Sequence, residues 1–253
     1  MLRFSGFGLK TAAAACAGAF MFMSPASASE PSSEGQPLRG VFFSGVDVVD
    51  GAEYFYDGVI VALNRDLSRD GWMLRAYGSR VDYDSGNDEG RGWQGDIMLG
   101  YKFTRGPIWG SIFVGADYQN FHNPPNTDSE VDGTEWGFKV AGDLSTAYGS
   151  PIYANLSGSY STAFDSYWVR LRAGLHRDNL TYGPEAIMMG NESFEAQRFG
   201  GFITFHNLNP LRMRPFDMTF SGGFQFQSDD NSNGFGTGGG EGAYGAIGFS
   251  MVF

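Results

Sequence analysis

The stretch Ala246–Phe253 reads AIGFSMVF and is the last of the sequence. Ile247, Phe249, Met251 and Phe253 stand two apart, with Gly248, Ser250 and Val252 between them. Side chains two apart share one face of a β-strand, whereas a helix groups residues three and four apart. A last strand with large apolar residues at every second position is poorly matched to water. It suits a wall with lipid on one side and a barrel interior on the other. The reading is an all-β chain whose final strand closes a transmembrane barrel by pairing with the first, leaving no strand edge in lipid.

Working back from this strand, period-two alternation recurs in segments of roughly ten residues, the length a tilted spanning strand needs. Twelve are predicted: Gly40–Val48, Tyr54–Leu63, Gly71–Val81, Gly92–Phe103, Pro107–Gln119, Thr134–Leu144, Pro151–Tyr160, Ser166–Leu175, Asn179–Met188, Phe194–Phe205, Pro215–Phe226 and Gly242–Phe253. The pattern is clearest in Pro215–Phe226. Phe216, Met218, Phe220, Phe224 and Phe226 form one face, and Asp217, Thr219, Ser221 and Gln225 the other. It is weakest in the first two segments, where Asp47 and Asp57 interrupt any clean face. The fold expected is an antiparallel up-and-down β-barrel of about twelve strands over 40–253.

Charge supports that strand number. Twelve strands put Asn64–Asp70, Thr104–Gly106, Ser145–Ser150, His176–Asp178 and His206–Arg214 on the periplasmic side, where arginines outnumber acids. The other links, including Asp82–Arg91, Asn120–Gly133 and Gln227–Glu241, collect most of the loop carboxylates against Arg91 alone. The three longest links also fall on this outer side, as outer-membrane barrels prefer. Trp72, Trp93, Trp109, Trp136 and Trp168 all fall near strand ends, which suits interfacial girdles.

The N-terminus fits a secreted chain. Arg3 and Lys10 precede an apolar run, Thr11–Met23, too short to span as a helix, and Ala26-Ser27-Ala28 offers a cleavage pattern. A signal peptide is expected over 1–28, with a short periplasmic lead over 29–39. Cys16, the only cysteine, would leave with it, so no disulfide or thiol chemistry is expected. The formal charge of −11 becomes −13 without Arg3 and Lys10, which argues against a nucleic-acid partner.

The candidate chemistry lies on the predicted lumen face. Arg75, Asp96, Lys102, Asp117, Glu135, Lys139, Asp143, Arg170, Arg172, Glu185, Arg198 and Asp217 point there. Mixed signs in a small barrel fit an internal ion-pair network first. They fit a selective pore second, with Arg170 and Arg172 lining its path. His122, His176 and His206 fall in links or at strand ends on opposite sides of the membrane, so no two are expected to meet as metal ligands. A hydrolase built on His122 is a remote third reading. The acidic loop Asp82–Gly90 lacks a calcium-loop pattern, and the glycine-rich segment after Gln227 lacks the phosphate-loop lysine. No metal and no cofactor is expected.

Several stretches together resemble one family: FFSGVDV (Phe42–Val48), ALNRDLSRDGWMLRAYG (Ala62–Gly78), GWQGDIMLGYKF (Gly92–Phe103), GSPIYANLSGSYSTAFDSYWVRLRAG (Gly149–Gly174) and GPEAIMMGNESFEAQRFGGFITF (Gly183–Phe205). They look like the BcsS family of cellulose biosynthesis proteins. The resemblance implies an outer-membrane barrel serving cellulose synthesis or export, with no catalytic residues to carry over. It implies outer-membrane lipid as surroundings, and cellulose or cellulose synthase export components as partners. Tyr83, Trp93, Phe121 and Phe235 near the outer rim would be placed to stack on sugar rings, or equally to pack in the girdle and loops.

Overall fold

The computed structural model describes residues 37–85, 88–123, 131–147, 150–210, 214–227 and 241–253. The expected signal peptide, Cys16 and Phe235 lie outside the described residues. The strands are β1 (Gly40–Val49), β2 (Ala52–Ala62), β3 (Gly71–Ser85), β4 (Asp88–Arg105), β5 (Ile108–His122), β6 (Gly133–Thr146), β7 (Ile152–Ser161), β8 (Tyr167–Arg177), β9 (Leu180–Asn191), β10 (Phe194–Leu208), β11 (Phe216–Gln227) and β12 (Gly242–Val252). Each pairs antiparallel with its neighbours in sequence, and β1 pairs with β12, so the sheet is a closed barrel.

Closure gives the last strand its partner, β1. Val41 lies opposite Val252, Gly45 opposite Gly248 and Val49 opposite Tyr244. The seam is locked at its end, where the Arg39 and Gly40 amides donate to the Phe253 carbonyl at 2.6 and 3.0 Å, and the Phe253 amide donates back to Gly40. Full closure satisfies the backbone polar groups of every strand, as lipid demands. Ile247 faces outward, and Phe249 packs outside between Phe42 and Phe216, with ring centroids 6.4 and 4.9 Å away.

The two faces follow the alternation. Outside, Leu99, Ile112, Phe138, Leu171 and Phe220 are exposed, forming the apolar wall. Inside, Arg75, Asp117, Lys139, Arg170 and Asp217 are buried. The tryptophans divide. Trp72, Trp93 and Trp136 stand outward as a girdle requires, Trp72 edge-on to Tyr101 and Trp136 edge-on to Tyr118. Trp109 and Trp168 instead turn inward and are buried, because their strand positions share parity with the lumen side chains.

Strand length is uneven. β3, β4 and β5 have 15, 18 and 15 residues, while β1, β2 and β7 have 10, 11 and 10. About ten residues suffice to span, so the long strands carry paired sheet past the wall at the outer end. Asp82–Ser85 and Asp88–Gly90, expected as loop, are part of this hairpin.

Candidate functional site

Four adjacent strands each contribute one charge to a single cluster in the lumen: Arg75 from β3, Asp96 from β4, Asp117 from β5 and Lys139 from β6. Asp96 and Asp117 lie directly opposite each other in the sheet, a like-charge pairing that is unfavourable alone. Lys139 resolves it by placing Nζ 2.9 Å from Asp96 Oδ2 and 3.2 Å from Asp117 Oδ1. Arg75 Nη2 donates to the same Asp96 oxygen at 3.2 Å, and Gln119 Nε2 donates to Asp117 Oδ2 at 2.8 Å. The Tyr77 ring lies 5.0 Å from the Arg75 guanidinium and 5.7 Å from Lys139 Nζ.

A second network crosses from β8 to β1. Arg172 is ion-paired with Glu185 and donates to Ser221 Oγ at 2.8 Å, and the Tyr244 hydroxyl donates to Glu185 at 3.2 Å. Arg198 Nη1 reaches both Asp47 oxygens at 2.9 and 2.7 Å, while its Nε donates to Gln225 at 2.7 Å. This pair ties β10 to β1 across the closing seam. Arg170 lies over the Trp168 ring at 5.2 Å. Lys102 and Asp143 also face inward: Lys102 Nζ donates to the Leu67 carbonyl, and Asp143 accepts from Asn155 Nδ2 at 3.1 Å.

Both ends of the lumen are occupied by protein. At the outer mouth the β7–β8 link forms a short 3-10 turn, Ala163–Asp165, with Phe164 and Asp165 at positive φ. That turn drives Phe164 inward, edge-on to Phe121 at 5.6 Å, where it is held by a hydrogen bond from its amide to Glu135 Oε2 at 2.9 Å. Trp168, at the start of β8, has no accessible surface. At the periplasmic end Leu67 of the β2–β3 link is buried against Leu38, its amide donating to the Leu38 carbonyl at 2.7 Å. On the other side of that mouth His176 Nδ1 and His206 Nε2 both meet Thr181 Oγ1, at 2.7 and 2.8 Å. Asp217 Oδ2 lies 2.9 Å from His206 Nδ1.

The histidine contact corrects the sequence-based expectation. His176 and His206 do meet, with ring centroids 5.4 Å apart, because the β8–β9–β10 meander returns the chain to the same end of the barrel. No group of three or more His, Cys, Asp or Glu side chains among the described residues is arranged to hold a metal. Thr181, His206 and Asp217 are connected in the order of a nucleophile, base and acid. All three are buried, at 2, 4 and 1% exposure, so no substrate reaches the hydroxyl in this arrangement. The cluster joins three strand ends. His122, the basis of the hydrolase reading, stands exposed at the outer end of β5.

Of the twelve lumen charges, Arg75, Asp96, Asp117, Lys139, Asp143, Arg170, Arg172, Glu185, Arg198 and Asp217 are buried, Lys102 is half-buried, and Glu135 is half-buried at the outer mouth. The rim aromatics are dispersed. Tyr83 is buried with its hydroxyl hydrogen-bonded to Asn123, and Phe121 is buried under Phe164. Trp93 is exposed on the outside of the wall, with the Arg80 guanidinium 5.3 Å from its ring. A recess of about 1050 Å³ lies at the outer rim, lined by Asp50, Glu53, Arg80, Asp82, Asp84 and Arg91 among others. Asp47 and the inward tyrosines Tyr54, Tyr56, Tyr77 and Tyr244 were not anticipated. On β1 and β2 both faces are largely apolar, so polarity alone could not orient them. The available signal was register: pairing β1 to the clearly oriented β12 puts Asp47 on the lumen side with Ala246.

Comparison with known proteins agrees with this architecture. The family described as "Cellulose biosynthesis protein BcsS" matches residues 41–253. No curated protein matches. Among solved structures, an outer-membrane channel from Pseudomonas putida F1 is 12% identical with a TM-score of 0.50, covering 89% of this chain and 99% of its own. The KdgM porin in complex with disordered oligogalacturonate is 10% identical with a TM-score of 0.48, covering 84% and 99%. At such identity the channel likeness is one of fold. The closed twelve-stranded wall and the match over its whole length lead to one assignment: the chain belongs to the BcsS family of cellulose biosynthesis proteins and is a bacterial outer-membrane β-barrel.

Proposed function

We propose that this barrel serves cellulose production as a sealed, non-enzymatic outer-membrane scaffold, and not as the conduit through which glucan passes. One observation carries the reading. Lys139, Gln119 and Trp168 have 0% exposure, and Arg75, Arg170 and Asp117 have 1%, although all point into the lumen. A water-filled channel would wet these side chains, so the interior at their level is packed with protein. Buried pairs cost desolvation and add little net stability, but removing one partner is expensive, which holds the filling in place.

A scaffold of this kind offers its rim and its outer wall to partners. Cellulose is neutral, so the acidic rim neither repels nor attracts it strongly. Cellulose itself and export components of the synthase are the partners this reading favours. The alternative, a small selective pore for oligosaccharides or anions lined by Arg170 and Arg172, would require the Phe164 turn and the ion pairs to move aside.

The test is extracellular cellulose in a strain lacking the gene, with wild-type chain or Arg170→Ala/Arg172→Ala chain restored. The scaffold reading expects cellulose to fall on deletion and to recover with both chains. Recovery with the wild type alone, despite equal barrel in the membrane, would favour the arginine-lined pore. Unchanged cellulose on deletion would remove the proposed role.

A further inference from the structure

The outer wall carries one feature that its lipid-facing role does not explain. Asp57 is the sixth of eleven residues of β2, so it lies at mid-strand, and its side chain points outward and is exposed. Its cross-strand neighbours on that face are Ser44 of β1 and Gly78 of β3, and the same row continues to Gly95 of β4. Among the described residues no hydrogen bond or ion pair reaches its carboxyl. The cation next along the strand direction, Arg80, is committed to Asp82 at 2.7 Å and to the Trp93 ring. An ionisable side chain at mid-wall is disfavoured against acyl chains, and such residues in membrane proteins characteristically meet a partner.

The surroundings fit protein better than lipid. Nothing lies within 4 Å of where a Cβ on Gly78 would stand, and a Cβ on Gly95 would meet only the Tyr77 carbonyl, at 3.5 Å. The wall is therefore recessed beside Asp57. Phe55, two residues along β2, stands outward with 43% exposure, and Phe42 on β1 with 36%. The face thus holds a carboxyl acceptor beside a hydroxyl donor, and a protruding ring beside a hollow.

We propose that this face binds a second copy of the same chain about a two-fold axis along the membrane normal, between β1 and β2. Such an axis exchanges the two strands at nearly unchanged height, so the Ser44 hydroxyl of each copy donates to the Asp57 carboxyl of the other. Each hydrogen bond occurs twice, as an isologous interface requires. Strands of these barrels tilt by about 40°, so two facing walls cross and contact is confined to residues near the axis. That crossing sets Phe55 of one copy over the Gly78 recess of the other. The occupant is chosen by self-complementarity: donor with acceptor and knob with hollow, both on one patch.

The experiment uses the full chain in outer-membrane vesicles, with Val46→Cys near the axis and Ile152→Cys on β7 across the barrel as the control. A flexible bifunctional thiol reagent should give a band of twice the chain mass from Val46→Cys and none from Ile152→Cys. Adding Asp57→Leu or Ser44→Ala should weaken that band at least about tenfold, the scale of losing charge-assisted hydrogen bonds. Asp57→Asn, which keeps shape and an acceptor oxygen, should weaken it less. Folding of each variant is checked by its heat-dependent gel mobility, since an outward substitution leaves the barrel intact. Light scattering of the purified barrel in nanodiscs should show two chains, and one for Asp57→Leu. A Val46→Cys product of any other mass would overturn the proposal in favour of a different protein. No product and a single-chain mass would overturn it in favour of lipid alone.

Discussion

Asp47 and Asp57 sit on the two strands of one hairpin, and both interrupt the alternation of an otherwise apolar segment. The barrel treats them oppositely. Asp47 turns inward, is 2% exposed, and is gripped by Arg198 from the far side of the seam. Asp57 turns outward at mid-wall, exposed, among Ser44, Gly78 and Gly95. The difference is only parity. In a wall one residue thick, the side on which a charge emerges decides whether it fills the lumen or marks the surface.

This comparison is sharpest in stability. Arg198→Met leaves Asp47 buried without its cation and should cost about 3–5 kcal/mol, measured by urea unfolding from lipid vesicles. Replacing both members, Asp47→Leu with Arg198→Met, should recover most of that loss, because a buried pair contributes little net stability. If the double variant is as unstable as the single one, the pair is not the unit that matters.

Asp57→Leu should act in the other direction. Taking a carboxyl off the lipid face should stabilise the isolated barrel by up to about 2 kcal/mol, below the range measured for cations at the midplane. Destabilisation in the same assay would mean that Asp57 holds its own wall together and is not a surface mark.

The smallest effect is expected outside the membrane, at the β2–β3 link. The hydrogen bond from the Ser68 hydroxyl, then its amide, then Arg69 hold Asp66 below the usual carboxylate range. A depressed value in the folded state contributes stability above the unfolded pKa of about 3.9, lost as pH falls through the folded value. Ser68→Ala should therefore lower neutral-pH stability slightly, by less than about 1 kcal/mol, and the difference from wild type should vanish as pH falls below the folded value in the same unfolding assay. A larger loss at neutral pH would show that Ser68 supports Leu67 over the periplasmic mouth.

Much of this was legible in the sequence where one face is polar. In β11, Asp217, Thr219 and Gln225 against Phe220, Phe224 and Phe226 left no ambiguity about inside and outside. Every predicted strand is present, with ends displaced by a few residues. The hidden part is where chemistry and geometry separate. β1 and β2 line the lumen with Phe43, Tyr54, Tyr56 and Ile60, so their inner face reads as apolar as their outer one. The inward turn of Phe164 depends on two residues at positive φ, neither of them glycine, which no local pattern announces. The meeting of His176 with His206 is a property of the meander, and thirty residues of sequence separate them.

The central claim is that the lumen is filled, and ion conductance tests it most directly. Purified wild-type barrel in a planar bilayer at high salt should show no steady current, while a general porin run alongside conducts. A stable, voltage-independent conductance from the wild-type chain would contradict a sealed interior and make the Arg170 and Arg172 face a pore lining.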